Sequence, residues 1–198
     1  MSTHKTPLIE TDRLVLTWPT PEQIDGYYDS IVGTNIFDTL VWDGPANAKD
    51  VHDWWKQLVS HSPLDFSQSI ELAAIERASG RYVGGVTLRP VDNDPNIIDI
   101  GFVFAVDSHG KGYATEALGA LVDEAFSTRG AERIFGEVFV GNDGSRRVLE
   151  KLGFVHEGTH RRSVCKRQEW LDVWVIAITR PDWERRQAER SEGTSVQK

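Results

Sequence analysis

The stretch Ile97–Phe126, IIDIGFVFAVDSHGKGYATEALGALVDEAF, decides how the rest of the chain is read. It opens as an apolar run from Ile97 to Val106, interrupted only by Asp99 and Gly101. Its short length and its Ile and Val residues predict a strand. A polar turn follows, Asp107-Ser108-His109-Gly110-Lys111-Gly112. Beyond it Ala114, Ala117, Leu118, Leu121, Val122, Ala125 and Phe126 fall on one stripe of an amphipathic helix, and Gly130 stands where a left-handed cap would end it.

A strand, a glycine turn and a helix in this order form a cradle for an anion. The first N–H groups of a helix have no partner within it, and the helix dipole is positive there. Gly110 and Gly112 let the backbone curl toward a ligand with no side chain in the way. A phosphate or pyrophosphate is the natural guest. The turn matches neither the dinucleotide fingerprint G-x-G-x-x-G nor the P-loop G-x-x-x-x-G-K-[ST].

His109-Gly110-Lys111-Gly112-Tyr113-Ala114 instead resembles the pyrophosphate loop [QR]-x-x-G-x-[GA] of the GNAT acyltransferase superfamily, with His109 in the place of Gln or Arg. The block GYATEA and the later block NDGSRRVLEKLGF, Asn142–Phe154, are similar to the RimJ/RimL branch, which acetylates protein N-terminal amines. The resemblance runs from about Leu8 to Trp183. It implies a mixed α/β (α+β) fold: a mostly antiparallel twisted sheet, flanked by helices and splayed at a central parallel pair. That pair would be the central strand and the following strand, Arg133–Val140. It also implies acetyl-CoA (coenzyme A) as co-substrate. Phe102, Val103, Phe104 and Val106 would lie along the cofactor arm. His109, Gly110, Lys111, Gly112, Tyr113, Ala114 and Thr115 would form the diphosphate cradle, with Asn142 orienting the pantetheine or only capping the next helix, and Arg147 meeting a phosphate or standing as an exposed helix arginine.

Composition limits the alternatives. With 198 residues, 39% hydrophobic and 26% charged, the chain has the make-up of one globular domain. That domain is expected over residues 8–183, with flexible tails at 1–7 and 184–198. A formal charge of −8 argues against nucleic-acid phosphate as a partner and suits a cationic amine. No apolar run is long enough to span a bilayer. The single cysteine, Cys165, fits a reducing cytoplasm. Oligomeric state is left open, a homodimer included.

The remaining elements follow from local signals. Arg13–Trp18 reads as a strand closed by Pro19, and Pro21 opens a helix carrying Ile24, Tyr27, Tyr28 and Ile31. Asp50 is expected to cap a helix through Ser60. Ser69–Arg77 and Tyr82–Leu88 read as a hairpin, and Asp92–Asn96 as a turn before the central strand. A short helix is expected from Ser145 to Leu152, then an antiparallel pair, Phe154–Val164 and Trp170–Ile178, turning at Lys166-Arg167-Gln168.

Acetyl transfer to an amine requires a proton acceptor, a hydrogen-bond donor for the leaving thiolate, and both substrates held together. Asp99 is the expected base. It interrupts an apolar strand two residues before Gly101, so both share a face. Glu71 and Glu137 are alternative strand carboxylates. Ser145 is the expected donor to the thiol: the RimJ/RimL branch has N-x-x-S here, met by Asn142 and Ser145, while Leu149 stands where other superfamily members place a Tyr. Capping the helix is the competing role of Ser145. Trp42 and Asp43 are expected to wall the acceptor site, which takes a primary amine, a peptide N-terminus or a small molecule. A module that binds acyl-CoA without catalysis is the reading from another class. His156-Glu157-Gly158-Thr159-His160 formally matches the zinc signature H-E-x-x-H, but Gly158 and Thr159 disfavour the helix it needs. In a strand both His would share a face roughly 13 Å apart, too far for one metal, so none is expected.

Overall fold

The computed structural model describes residues 9–59, 69–91 and 94–195. The expected N-terminal tail, the end of the second helix at Ser60, the first two residues of the Asp92–Asn96 turn and residues 196–198 lie outside this range. Among the described residues, eight strands and five α-helices alternate irregularly. It falls into two compact units, residues 1–89 with 100–121 and residues 90–99 with 122–198.

In the first unit the strand order is β1 (Ile9–Glu10), β2 (Leu14–Thr17), β3 (Ile70–Glu76), β4 (Tyr82–Val91) and the C-terminal half of β5 (Asp94–Phe104). β1 to β4 pair antiparallel, with Leu16 opposite Ala74 and Ala73 opposite Gly85. Helix α1 (Pro21–Ile31) starts with a capping box: Thr20 accepts from Gln23 N–H, and the Gln23 side chain accepts from Thr20 N–H. Helix α2 (Ala48–Val59) starts two residues before the expected cap. Asn47 Oδ1 accepts from Asp50 N–H, and the Asp50 carboxylate reaches back to Ala46 N–H, so Asp50 completes the cap from inside the helix. The buried faces of α1 and α2 (Ile24, Tyr27, Ile31, Val51, Trp55) pack with Ala73, Ile75, Tyr82 and Ala105 in one apolar cluster.

In the second unit the order is the N-terminal half of β5, then β6 (Arg133–Phe139), β8 (Glu169–Thr179) and β7 (Val155–Lys166). β5 and β6 run parallel, registering Ile97–Asp99 with Arg133–Phe135, and their register ends at Asp99. β6 continues against β8 as far as Phe139 opposite Val173. The expected mixed sheet, mainly antiparallel with one parallel pair, is therefore present. β7 and β8 turn at Arg167 and Gln168, both at positive φ (49° and 69°), which is a two-residue hairpin turn of the expected placement. Ile98, Ile134, Val138, Ile176 and Ile178 alternate onto one face and are buried.

Two sequence expectations need correction here. β5 begins at Asp94, so Pro95 and Asn96 belong to the strand and not to a turn. The strand ends at Phe104, and Val106 opens a short 3-10 turn, Val106–Ser108. For the polar stretch from Glu184, open to a frayed helix or a disordered tail, the structure gives a helix: α5 spans Arg180–Ser195. Trp183 stacks on Phe126 (ring centroids 5.4 Å apart), while Trp183 Nε1 and the Gln187 amide both donate to Asp123 at 2.6 and 2.7 Å. One tryptophan and one shared carboxylate thus dock a helix that has no apolar stripe of its own.

Candidate active site

Helix α3 (Tyr113–Thr128) carries the predicted stripe: Ala117, Leu118, Leu121, Val122, Ala125 and Phe126 are all buried. Its first intrahelical bond runs from Glu116 N–H to the Gly112 carbonyl at 3.0 Å, so Gly112 is the residue at the cap position. A glycine has no side chain to return a bond. Among the described residues, no side chain accepts from the N–H groups of Tyr113, Ala114 or Thr115. Gly110 and Gly112 sit at φ 74° and 80°, in the left-handed region. Around Gly110 the space a Cβ would fill is empty within 4 Å. The three open donors and the bare approach fit a diphosphate.

Other groups hold this turn from behind. His109 Nε2 lies 2.9 Å from the Phe104 carbonyl, which ties the turn back to β5. Tyr113 is buried, and its hydroxyl donates to Glu76. Among the predicted cradle residues, His109 and Tyr113 therefore brace the turn with their side chains. The brace that sequence reasoning missed is Arg13. Its Nη1 donates to the Lys111 carbonyl at 2.9 Å, its Nε and Nη2 meet Glu116 at 2.6 Å, and its guanidinium lies 4.9 Å over the Tyr113 ring. Together with the Thr11 hydroxyl and Arg13 N–H, that arginine holds the Glu116 carboxyl below the usual range despite its burial. Arg13 is about a hundred residues away in sequence and sits in a strand motif, so no local signal marks it.

On β5, Phe104 is buried, Phe102 and Val103 are half-buried, and Val106 lies outside the strand and 40% exposed. Val106 is thus not in line with the other three. At Gly101 the close approach expected from the sequence is made by the Arg89 guanidinium, 3.0 Å from where a Cβ would stand. In the second unit Asp99 is half-buried and registers with Phe135. Phe135 lines a cavity of ≈370 Å³ with Arg133, Glu137, Gly158, His160 and Val175. Glu137 stands 3.5 Å from His160 Nδ1, and Arg133 makes a bidentate pair with Glu157 at 2.7 and 2.5 Å.

Helix α4 spans Asp143–Lys151, two residues earlier than expected at its start. Its cap is Asn142, whose Oδ1 accepts from Ser145 N–H at 3.1 Å. The capping role weighed for Ser145 therefore belongs to Asn142; Ser145 is half-buried in the first turn and Arg147 is exposed. Trp42 is 54% exposed and packs edge-on against Phe37, ring centroids 5.3 Å apart. A bulge between His156 and Gly158 turns the two histidines of the H-E-x-x-H match to opposite faces, His156 beside Trp174 and His160 beside Glu137. The shared face expected for them is corrected by that one extra residue.

Among the strand carboxylates Glu71 is distinct. Part of the residue reaches solvent, but its carboxyl is enclosed, and burial pushes its pKa up to about 7 against the lowering effects of the Thr87 hydrogen bond and the Arg89 charge.

Residues 13–155 match the model of the acetyltransferase (GNAT) domain. The chain belongs to the GNAT acetyltransferase family. It is 43% identical over 83 residues to the probable N-acetyltransferase YjcK of Bacillus subtilis, 42% of this chain and 46% of that one. It is 30% identical over 105 residues to the putative ribosomal N-acetyltransferase YdaF of the same organism, 53% of this chain and 57% of that one. The matched segments thus span about half the length of each of these two relatives. The fold is similar to that of RimL, a ribosomal L7/L12 α-N-protein acetyltransferase solved with coenzyme A: TM-score 0.75, 13% identity, covering 88% of this chain and 98% of that one. Among the described residues no helix is long and apolar enough to cross a membrane, and no group of His, Cys, Asp and Glu could hold a metal ion.

Proposed function

We propose that this GNAT chain transfers an acetyl group from acetyl-CoA directly to a primary amine, with a protein or peptide N-terminus as the acceptor. The observation that carries the reading is the uncapped start of α3 behind Gly110 and Gly112, where three backbone donors and the helix dipole suit a diphosphate. Bound coenzyme supplies the activated acyl group. The chain's residues bind and orient it through the turn His109–Ala114 and the β5 backbone at Phe102–Phe104, with Asn142 toward the pantetheine. Asp99 takes the proton of the acceptor amine, and Ser145 Oγ donates to the departing sulfur at a helix start that also favours developing negative charge. Trp42 and Asp43 wall the acceptor side.

The test is thiol release from acetyl-CoA over a panel of peptide N-termini and small amines. Turnover of peptides over small amines is expected; the reverse order would make the chain a small-molecule acetyltransferase. Coenzyme binding with no turnover of any acceptor would make it a binding module. Asp99→Asn and Ser145→Ala should each slow turnover by about 10- to 1,000-fold while leaving CoA affinity within about threefold. Wild-type rates in both variants would remove those two assignments.

A further inference from the structure

Buried polar groups in folded proteins nearly always meet a partner. The core of the first unit holds two that do not. Tyr27 Oη and Trp55 Nε1 are enclosed, in residues 5% and 2% exposed, and neither meets a hydrogen-bond partner among the described residues. They stand in one cluster. Tyr27 stacks on Tyr82 with centroids 4.0 Å apart, and Trp55 meets Tyr82 edge-on at 6.1 Å. The Trp55 side chain is near enough to the Tyr82 hydroxyl to lower its pKa slightly, yet makes no hydrogen bond of ordinary geometry. Burial and the Glu71 charge raise the pKa of both phenols, so each stays an O–H donor. At the centre is Gly85: a Cβ there would lie 3.4 Å from Tyr82 Oη and 3.9 Å from Glu71 Oε1. The groups facing Glu71 are Thr87, Arg89, Tyr27 and Tyr82.

The neighbours of the cluster tie it to the reaction. Val103, on the proposed cofactor arm, packs against it from one strand. Phe37, which carries Trp42 of the proposed acceptor wall, packs against it from the loop after α1.

We propose that Tyr27 and Trp55 form an oxygen-binding subsite for the acceptor, donating to the carbonyl that follows its reacting amine. This rests on the acetyltransferase reading and sharpens it. Both unpartnered groups are offered as donors, so the missing ligand atom is an acceptor, and an indole N–H can bind nothing else. An α-amino amide, the chemistry of a peptide N-terminus, carries an amine and such an oxygen three bonds apart. A simple alkylamine does not. A site built around buried donors discriminates strongly against a ligand that leaves them unpaired.

The experiment compares alaninamide with 3-methyl-2-butanamine, a near-isosteric amine lacking the carbonyl. Both are assayed by thiol release, with kcat/KM expressed per unprotonated amine. The wild type should prefer alaninamide by about 10- to 100-fold. Tyr27→Phe should lose most of that preference through KM, with CoA affinity unchanged and Tm equal or higher, because the removed hydroxyl had no partner. Trp55→Phe should behave likewise. Gly85→Ala adds a methyl in ordinary contact distance, so it should fold normally and raise the alaninamide KM about tenfold. Equal wild-type rates on both amines would overturn the subsite and leave the acetyltransferase reading standing. So would a preference that survives Tyr27→Phe and Gly85→Ala, or a Tm drop in Tyr27→Phe without a change in preference, which would mean the hydroxyl holds a structural water. Turnover of neither amine nor any peptide, with CoA bound, would instead defeat the activity reading itself.

Discussion

In the first unit one helix start and two core side chains keep unpartnered donors, while the second unit pairs the groups placed comparably. Helix α3 begins at a glycine that returns no bond to its first N–H groups, whereas α4 begins at Asn142, whose side chain accepts from Ser145 N–H. In the core of the first unit Tyr27 and Trp55 keep unpaired donors, and Glu71 sits near its titration point. In the second unit Arg133 and Glu157 pair bidentately, and Asp123 accepts from both Trp183 and Gln187. Unpaired buried groups cost stability, and that cost is the reason for proposing a ligand at each of these places.

The contrast is broken most sharply at Gly112. An aspartate there brings a charge and a Cβ into the open helix start, and φ 80° strains any L-residue by about 1–2 kcal/mol. We expect CoA affinity in Gly112→Asp to fall at least ~100-fold by calorimetric titration. Retained affinity would mean that the cradle is not where the diphosphate binds.

Glu71 gives a stability signature. Its pKa is about 7 in the folded protein against 4.5 ordinarily, so between these values the folded state holds the extra proton. Stability should therefore fall as pH rises from about 4.5 to 7 and level off above, by about 3 kcal/mol at most. Denaturation across pH should show that slope in the wild type and lose it in Glu71→Gln. An identical slope in both would assign it to another group.

Arg13→Ala tests whether the open turn needs its remote brace. Losing the bond to the Lys111 carbonyl and the pair with Glu116 should weaken CoA binding about tenfold, with a smaller change in global stability because the arginine is half exposed. Asn142→Ala should cost about 1 kcal/mol of stability, while Asn142→Ser retains most of it by capping in turn. Equal loss in both would show that capping is not what Asn142 contributes to the fold.

The sequence alone determined the elements whose signal is local. The α3 stripe, the turn at Gly110 and Gly112, the hairpin turn at Arg167-Gln168 and the proline-led α1 all stand where periodicity and turn chemistry put them. Its reading went astray where a tertiary partner overrides a local preference. Pro95 and Asn96 look like a turn but join β5. A one-residue bulge separates His156 from His160. For the candidate site, the cradle was legible because glycine conformation and helix starts are properties of a few adjacent residues. Arg13 behind the turn, the choice of Asn142 over Ser145 as the cap, and the unpaired donors of Tyr27 and Trp55 were not. Whether a polar group finds a partner depends on what folding brings beside it, and that is fixed only when strands and helices distant in sequence have packed.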